Sequence, residues 1–226
     1  GTTLARLLKE LVKIDNVKWI RLFYLYPTYF DDELLEIITK EEKICKYVDI
    51  PLQHISDSVL RRMHRRDSSQ SIKKLLKKLR NTTPYITIRT TLMVGFPGET
   101  EADFKELLTF IKAVKFDNMG AFTYSAQDGT PAARMVDQVT EEIKENRYHE
   151  LMAAQAEISE ENNRNLIGVD TEVLVEELLD DGCGNLQAKG RASFQAPEVD
   201  GNVYIDHPGD LRPGDFVKAH IIDGYA

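Results

Sequence analysis

Arg89-Thr90-Thr91-Leu92-Met93-Val94-Gly95-Phe96-Pro97-Gly98-Glu99-Thr100 joins an apolar, β-branched run to two glycines, an acidic residue and a helix cap. The run from Ile86 to Val94 suits a buried strand. Gly95-Phe96-Pro97-Gly98 ends it, and Glu99-Thr100-Glu101 opens a helix that carries Phe104, Leu107, Leu108 and Ile111 on one stripe. Strand, glycine turn and helix in this order make a βα unit. Glycines let a backbone approach a ligand closely, and the helix start behind them offers free N–H groups. An ordinary strand–helix turn, with acidic residues suiting the helix dipole, accounts for the same residues equally well.

Working outward, the same unit recurs. Residues 3–14 read as an amphipathic helix through Leu4, Leu7, Leu8, Leu11 and Val12. Trp19 to Leu25 reads as a strand stopped at Tyr26-Pro27, since proline cannot continue a ladder. Asp31 or Asp32 caps a helix with Leu34, Leu35, Ile37 and Ile38. Lys46 to Leu52 is a further strand, ended by Gln53-His54. Ser56 or Asp57 caps a helix to about Met63, and Ser68 or Ser69 another to about Leu79. Asn118 to Tyr124 is the fourth strand, and a long helix runs from about Thr140 to Asn163. Four such alternations predict an α/β fold: a parallel sheet with helices outside, half of an eight-unit barrel. Such sheets carry their chemistry in the loops after the strand C-termini. Here these are Tyr26-Pro27, Gln53-His54, Gly95–Glu99 and Ser125–Thr130.

After Gly168 the grammar changes. Thr171–Glu176, Leu186–Arg191, Gly201–Asp206 and Asp215–Ile222 are short strands between Asp-Gly and Arg-Pro-Gly-Asp turns, which predicts a small antiparallel barrel. The chain therefore divides at 1–164 and 165–226. Charge divides at the same place. Residues 1–164 hold 25 Lys+Arg and 25 Asp+Glu, whereas residues 165–226 hold 4 and 12, so the whole net charge of −8 sits in the last quarter. Such a surface repels phosphate and attracts a basic protein. Apolar residues make up 42% and charged residues 29%, the balance of a globular chain. With no apolar run of membrane-spanning length, no leader-like start and two lone cysteines (Cys45 and Cys183), the plain expectation is a cytoplasmic protein without disulfides.

Several residues stand out as candidates. Gln53 suits a hydrogen bond to a ribose or an amino-acid moiety. His54 could act as donor, base or ligand, although a lone histidine is more often structural. His54, His64, Cys45 and Cys183 show no metal-ligand spacing. Arg89 places a charge inside an apolar strand, where it needs either a ligand carboxylate or phosphate, or a structural partner such as Glu99 or Asp49. Arg61, Arg62, Arg65, Arg66, Lys73, Lys74, Lys77, Lys78 and Arg80 give nine positive charges in twenty residues. A solvated helix face explains these better than an RNA contact does.

These residues also carry a family resemblance. Tyr47-Val48-Asp49-Ile50-Pro51-Leu52-Gln53-His54-Ile55-Ser56-Asp57, Met63-His64-Arg65-Arg66, the Arg89–Thr100 stretch, Phe116-Asp117, Phe122-Thr123-Tyr124-Ser125 and Gly129-Thr130-Pro131-Ala132-Ala133 resemble the methylthiotransferase branch of radical-SAM enzymes. The last 60 or so residues resemble a TRAM domain. Gln53-His54-Ile55-Ser56-Asp57 and Ala196-Pro197-Glu198-Val199-Asp200-Gly201 are closer to the enzymes that modify an aspartate of small-subunit ribosomal protein S-twelve than to the tRNA-modifying ones. The resemblance implies a partial TIM-like radical-SAM barrel followed by an OB-like TRAM barrel. It also implies S-adenosylmethionine and two 4Fe–4S clusters in the full-length protein. One cluster, on a CxxxCxxC loop, generates a radical that takes hydrogen from the aspartate β-carbon, and the other delivers sulfur. Neither cysteine set occurs in this chain, so the resemblance reads it as a fragment that ligates no cluster and is inactive alone. Gln53, Arg89, Gly95, Gly98, Glu99 and Tyr124 would lie on the S-adenosylmethionine side, and His54 and Asp200 would be candidates for substrate contact. A tRNA methylthiotransferase and a non-catalytic ribosome- or RNA-binding module remain the competing readings, with nucleic-acid contact ranked second to the protein substrate.

Overall fold

Each apolar stripe read above must bury itself against a neighbour, and the parallel sheet is where they meet. The structure is a computed structural model that describes residues 3–180 and 186–225. Cys183 and the Asp-Gly turn at 181–182 lie outside the described residues. In chain order the first part is α1 (Leu4–Leu11), β1 (Ile20–Leu22), α2 (Asp32–Lys40), β2 (Ile44–Asp49), α3 (Asp57–Arg62), α4 (Ser69–Arg80), β3 (Thr87–Val94), α5 (Glu101–Val114), β4 (Asn118–Thr123) and α6 (Glu141–Arg164). The strands form one parallel sheet in the order β1-β2-β3-β4. Sequential order in a parallel sheet is the arrangement of a barrel segment.

Side chains that alternate along β3 sort onto two faces. Ile88, Leu92 and Val94 enter the main core with Ile38, Leu60, Leu79, Leu107 and Leu151 of the outer helices. Arg89, Thr91 and Met93, half-buried, take the opposite, lumen side. Side-chain caps fix the helix starts. Thr3, Asp31, Ser68, Thr100 and Thr140 each accept from an N–H in the first turn. Ser68–Ser71 and Thr100–Asp103 form reciprocal capping boxes.

The first strand is shorter than the Trp19–Leu25 stretch expected. Tyr24 turns the chain at φ 56°, and its N–H donates to Asp49 Oδ2 at 3.0 Å. Leu25 N–H then reaches Asp49 O, the last carbonyl of β2, at 2.8 Å, so the ladder closes on the end of the neighbouring strand. β2 also stops at Asp49, before the expected Leu52. Beyond it Gln53, at φ 69°, forms an isolated parallel bridge with Leu92.

The last quarter folds as β5 (Asp170–Asp180), β6 (Leu186–Ala192), β7 (Val203–Asp206) and β8 (Phe216–His220). They form an antiparallel sheet in the order β7-β6-β5-β8. β5 runs four residues past the expected Glu176 because its pairing with β6 continues to Asp180. An irregularity between Val175 and Glu177 bends it. This half-barrel sheet docks on the lumen side of the parallel sheet. Trp19 meets Phe216 edge-on at 4.9 Å, Lys18 pairs with Glu172 at 3.2 Å, and Ala196 packs against Cys45 and Tyr47. No helix among the described residues is long and apolar enough to cross a membrane.

Leu92 is fully buried at the centre of the parallel sheet. Leu92→Ala is expected to lower unfolding stability by ~2–5 kcal/mol, read by urea titration; a change under ~1 kcal/mol would mean the sheet is not the core described.

Candidate active site at the rim of the parallel sheet

The glycine turn after β3 is filled from within. Glu99 folds back so that its Oε2 accepts the N–H groups of Gly95 at 2.7 Å and Phe96 at 3.3 Å. Its Oε1 accepts from Arg147 Nη1 of α6 at 2.9 Å. The N–H groups of the turn itself are therefore occupied by the chain's own carboxylate. Burial pushes the Glu99 carboxyl above the ordinary range, opposed by the Arg147 guanidinium and the two N–H groups. Both glycines are required by geometry. A Cβ on Gly95, at φ 73°, would lie 2.2 Å from Lys144 Cγ, and one on Gly98, at φ 82°, 2.3 Å from the Arg62 guanidinium carbon. That guanidinium spans Gly98 to pair with Asp137 at 2.7 Å.

Gln53 is pinned on both sides. Its N–H donates to Thr91 O at 2.9 Å, and its carbonyl accepts from Met93 N–H at 2.8 Å. Its left-handed backbone aims the amide into a cavity of about 340 Å³ shared with Met63, Met93, Phe96, Pro131 and Met135. The Gln53 amide has no partner among the described residues. Tyr124 lies behind this cavity rather than in its lining. Its ring meets Phe96 at 5.1 Å, Lys144 Nζ sits 5.3 Å from its centroid, and its buried hydroxyl has no hydrogen-bond partner among the described residues.

His54 follows Gln53 but faces the opposite way. It is fully buried, and its Nδ1 accepts from Ser56 N–H at 3.0 Å. Burial, reinforced by nearby Arg147 and opposed by Asp103, lowers its pKa from 6.5 to about 4. The ring is thus neutral near neutral pH, and its 3.8 Å approach to Glu99 is not an ion pair. The His54 ring is packed under the turn. Asp103 sits beside it. Although burial acts in the other direction, hydroxyls of Ser56, Ser58 and Thr100 hold its carboxyl well below the usual range.

Arg89 is on the lumen side, lower down the sheet. Its Nε donates to Asp200 Oδ1 at 3.2 Å, and Nη1 reaches Asp49 Oδ1 at 3.5 Å and Thr91 Oγ1 at 3.3 Å. Of the two structural partners considered, Asp49 is the one met. Asp200 is likewise inward. Its side chain is 1% exposed, and Oδ2 accepts from Tyr47 Oη at 2.7 Å and Ala196 N–H at 2.8 Å. Five expected ligand residues thus lie around one rim, but Gln53 alone lines the cavity. Sequence reading missed Lys144 and Arg147, which share one buried face of α6 with Leu151, Ala154 and Ile158. The signal was legible as a three–four stripe that included two cations.

Five of the nine cations of the basic stretch are ion-paired. Arg62, Arg65, Lys73, Lys78 and Arg80 pair with Asp137, Asp67, Glu106, Asp32 and Asp117. A solvated, ion-paired face accounts for it.

A mostly apolar cavity with one free amide fits part of a nucleoside or an amino-acid ligand such as S-adenosylmethionine. An iron–sulfur cluster does not fit this chain's donors. It needs several thiolates, the chain has two cysteines, and Cys45 is buried against Tyr47 and Ala196.

The chain matches the radical SAM superfamily over residues 2–111 and a TRAM domain over residues 167–226. Within that superfamily it is similar to curated proteins called ribosomal protein uS12 methylthiotransferase. It is 48% identical to the one from Geotalea uraniireducens and 50% identical to the one from Pelobacter propionicus, in both cases over 99% of this chain and 49% of the relative. The chain spans about half the length of the curated relatives it matches. Coproporphyrinogen III oxidase from Escherichia coli, described as a radical SAM enzyme, shares the fold at TM-score 0.57 and 20% identity, over 69% of this chain and 36% of that one.

The buried neutral His54 has a pH consequence. Its folded pKa, about 4, lies below the ordinary 6.5, so the unfolded chain takes up the proton first. Its contribution is complete above the ordinary value and is lost as pH falls toward the folded one. Unfolding titrations across that window should show wild-type stability falling by up to ~1.4 kcal/mol per pH unit relative to His54→Gln; equal slopes would contradict the buried, neutral ring.

Proposed function

We propose that this chain is the later barrel and TRAM part of a radical SAM methylthiotransferase that places a methylthio group on the β-carbon of an aspartate in ribosomal protein S-twelve (uS12). The observation that carries this reading is near-half identity, sustained over almost the whole chain, to proteins named for that reaction. The acidic last quarter supports it independently. A net −8 over residues 165–226 favours a basic protein target over a phosphate backbone. The protein works in the cytoplasm, where uS12 and the small ribosomal subunit are found.

S-adenosylmethionine supplies, when bound with a 4Fe–4S cluster, the radical and methyl chemistry; two such clusters belong to the full-length enzyme and their thiolates come from outside this chain. What this chain contributes is binding and orientation. Gln53 presents its free amide to the ligand from a backbone that cannot rotate away. Met93 and Phe96 give the apolar wall that excludes water. Gly95, Gly98 and Glu99 hold the turn beneath that wall, and Tyr124 buttresses Phe96. Arg89, held between Asp49 and Asp200, forms the polar floor with Thr91.

Deleting the gene for this chain and analysing uS12 and tRNA by mass spectrometry tests the assignment. The expected result is uS12 lacking the mass of one methylthio group, with tRNA modification intact. Unaltered uS12 together with lost tRNA methylthiolation would transfer the chain to the tRNA-modifying branch. Within the enzyme, Gln53→Ala should weaken S-adenosylmethionine binding by roughly tenfold, as expected for a lost hydrogen bond in a desolvated site; calorimetry showing unchanged affinity would remove Gln53 from the ligand.

A further inference from the structure

The parallel sheet ends at β4, and its lumen side would be an open surface were it not for one segment of the last quarter. Residues 192–200, between β6 and β7, lie against it. Arg21 Nη2 of β1 donates to Ser193 O at 2.9 Å, Ala196 is 2% exposed between Cys45 and Tyr47, and Asp200 enters beside Arg89. Only one of these contacts bears on the cavity. Asp200 Oδ1 takes the Nε–H of Arg89, while Tyr47 Oη and Ala196 N–H fix Oδ2, so the carboxylate cannot swing. The other edge of the guanidinium runs up the same strand face to Thr91 Oγ1. Thr91 is followed on that face by Met93, which lines the cavity with Gln53. Across from this edge stands Gly120 of β4, where a Cβ would come within 3.5 Å of Arg89 Nη2. Nη2 itself makes no hydrogen bond among the described residues and faces the lumen over that glycine.

From this we infer that Asp200 is a positioning residue of the barrel site: it reaches across from the TRAM domain and orients Arg89, so that Nη2 and the Thr91–Met93 wall present one fixed surface to the bound S-adenosylmethionine. The inference rests on the ligand assignment above. The physical case is one of degrees of freedom. A lone arginine on a strand has several rotamers, and ordering it costs up to about 2 kcal/mol of side-chain entropy. Two carboxylates on different elements, Asp49 from β2 and Asp200 from the last quarter, hold it from two directions before any ligand arrives. Their charges are a poor match for a third carboxylate at the same guanidinium, which makes orientation, rather than capture of an anion, the role of this group. The docked TRAM domain is then part of the binding site and not only an attachment to the barrel.

The test uses the full-length enzyme with its clusters reconstituted and reads S-adenosylmethionine dissociation constants by equilibrium dialysis. Asp200→Asn keeps the size and most hydrogen bonds but removes the charge on Arg89; it should weaken binding roughly five- to tenfold, as does loss of a charge-assisted hydrogen bond. Glu172→Gln breaks the Lys18–Glu172 pair of the same seam without touching Asp200 or Arg89, and should leave affinity unchanged. The double variant Asp200→Asn with Arg89→Lys should bind no more weakly than Arg89→Lys alone, because both act through one guanidinium. If Asp200→Asn does not fold, Asp200→Glu, which keeps the charge and moves it, carries the same comparison. Wild-type affinity in the Asp200 variants, or equal loss in Glu172→Gln, would overturn the positioning role and leave a purely structural contact. Failure of the wild type itself to bind S-adenosylmethionine would instead overturn the ligand assignment.

Discussion

A single buried carboxylate organises the rim of this protein. Glu99 gathers the N–H groups of Gly95 and Phe96 and the guanidinium of Arg147, which belong respectively to the turn after β3 and the first half of α6. An ion pair at this depth needs further hydrogen bonds to offset its desolvation, and removing one partner of such a pair typically costs ~3–5 kcal/mol. Here the backbone supplies the missing donors, so the turn, the start of α5 and the position of α6 become one rigid unit. Phe96 and Tyr124 inherit their places from it, and through them so does the cavity wall.

The opposite end of the lumen is organised by a second set of buried charges. Arg89 sits between Asp49 and Asp200, with Tyr47 behind. Asp49 also terminates β1, because its Oδ2 and its carbonyl receive the N–H groups of Tyr24 and Leu25. One aspartate thereby sets where a strand stops and where a cation points. Burial, with Asp200 close by, raises the Tyr47 hydroxyl far above its ordinary range, so it remains a donor to that carboxylate at any physiological pH. Polar contacts dominate this inter-domain seam, and the apolar part is small: Trp19 on Phe216, and Ala196 on Cys45 and Tyr47. A seam of this kind specifies a register more than it contributes raw stability, since misplacing it by one residue would strand a buried charge.

The two ends differ in how they treat ligands. At the upper end a free amide and an apolar wall are left open, whereas at the lower end the carboxylates of Asp49 and Asp200 and the hydroxyl of Tyr47 are already engaged. That asymmetry follows from chain topology. Strand C-termini in a parallel sheet splay into loops, which leaves a cleft there, and the other end is available for packing by a following domain.

Local sequence settled the elements. Alternation of β-branched residues in Thr87–Val94, caps at Thr100 and Thr140, and turn chemistry after Gly168 each state a backbone preference that neighbours only a few residues away can satisfy. The change from helical to antiparallel patterning and the confinement of acidic charge to the last quarter are legible in the same way. Site geometry was not, because it depends on partners distant in the chain. Nothing near Glu99 says that Arg147 would claim it, nothing near Asp200 says that it would turn inward to Arg89, and the Gln53-His54 pair gives no sign that two adjacent side chains would face a cavity and a core respectively. The sequence by itself determined which segments are strands and helices, and where the two parts divide in composition, since these follow from short-range sterics and hydrophobic spacing. Only the tertiary structure decided which charges pair and which amide stays free, since a buried ion's partner is chosen by the whole fold's need to leave no charge unsatisfied.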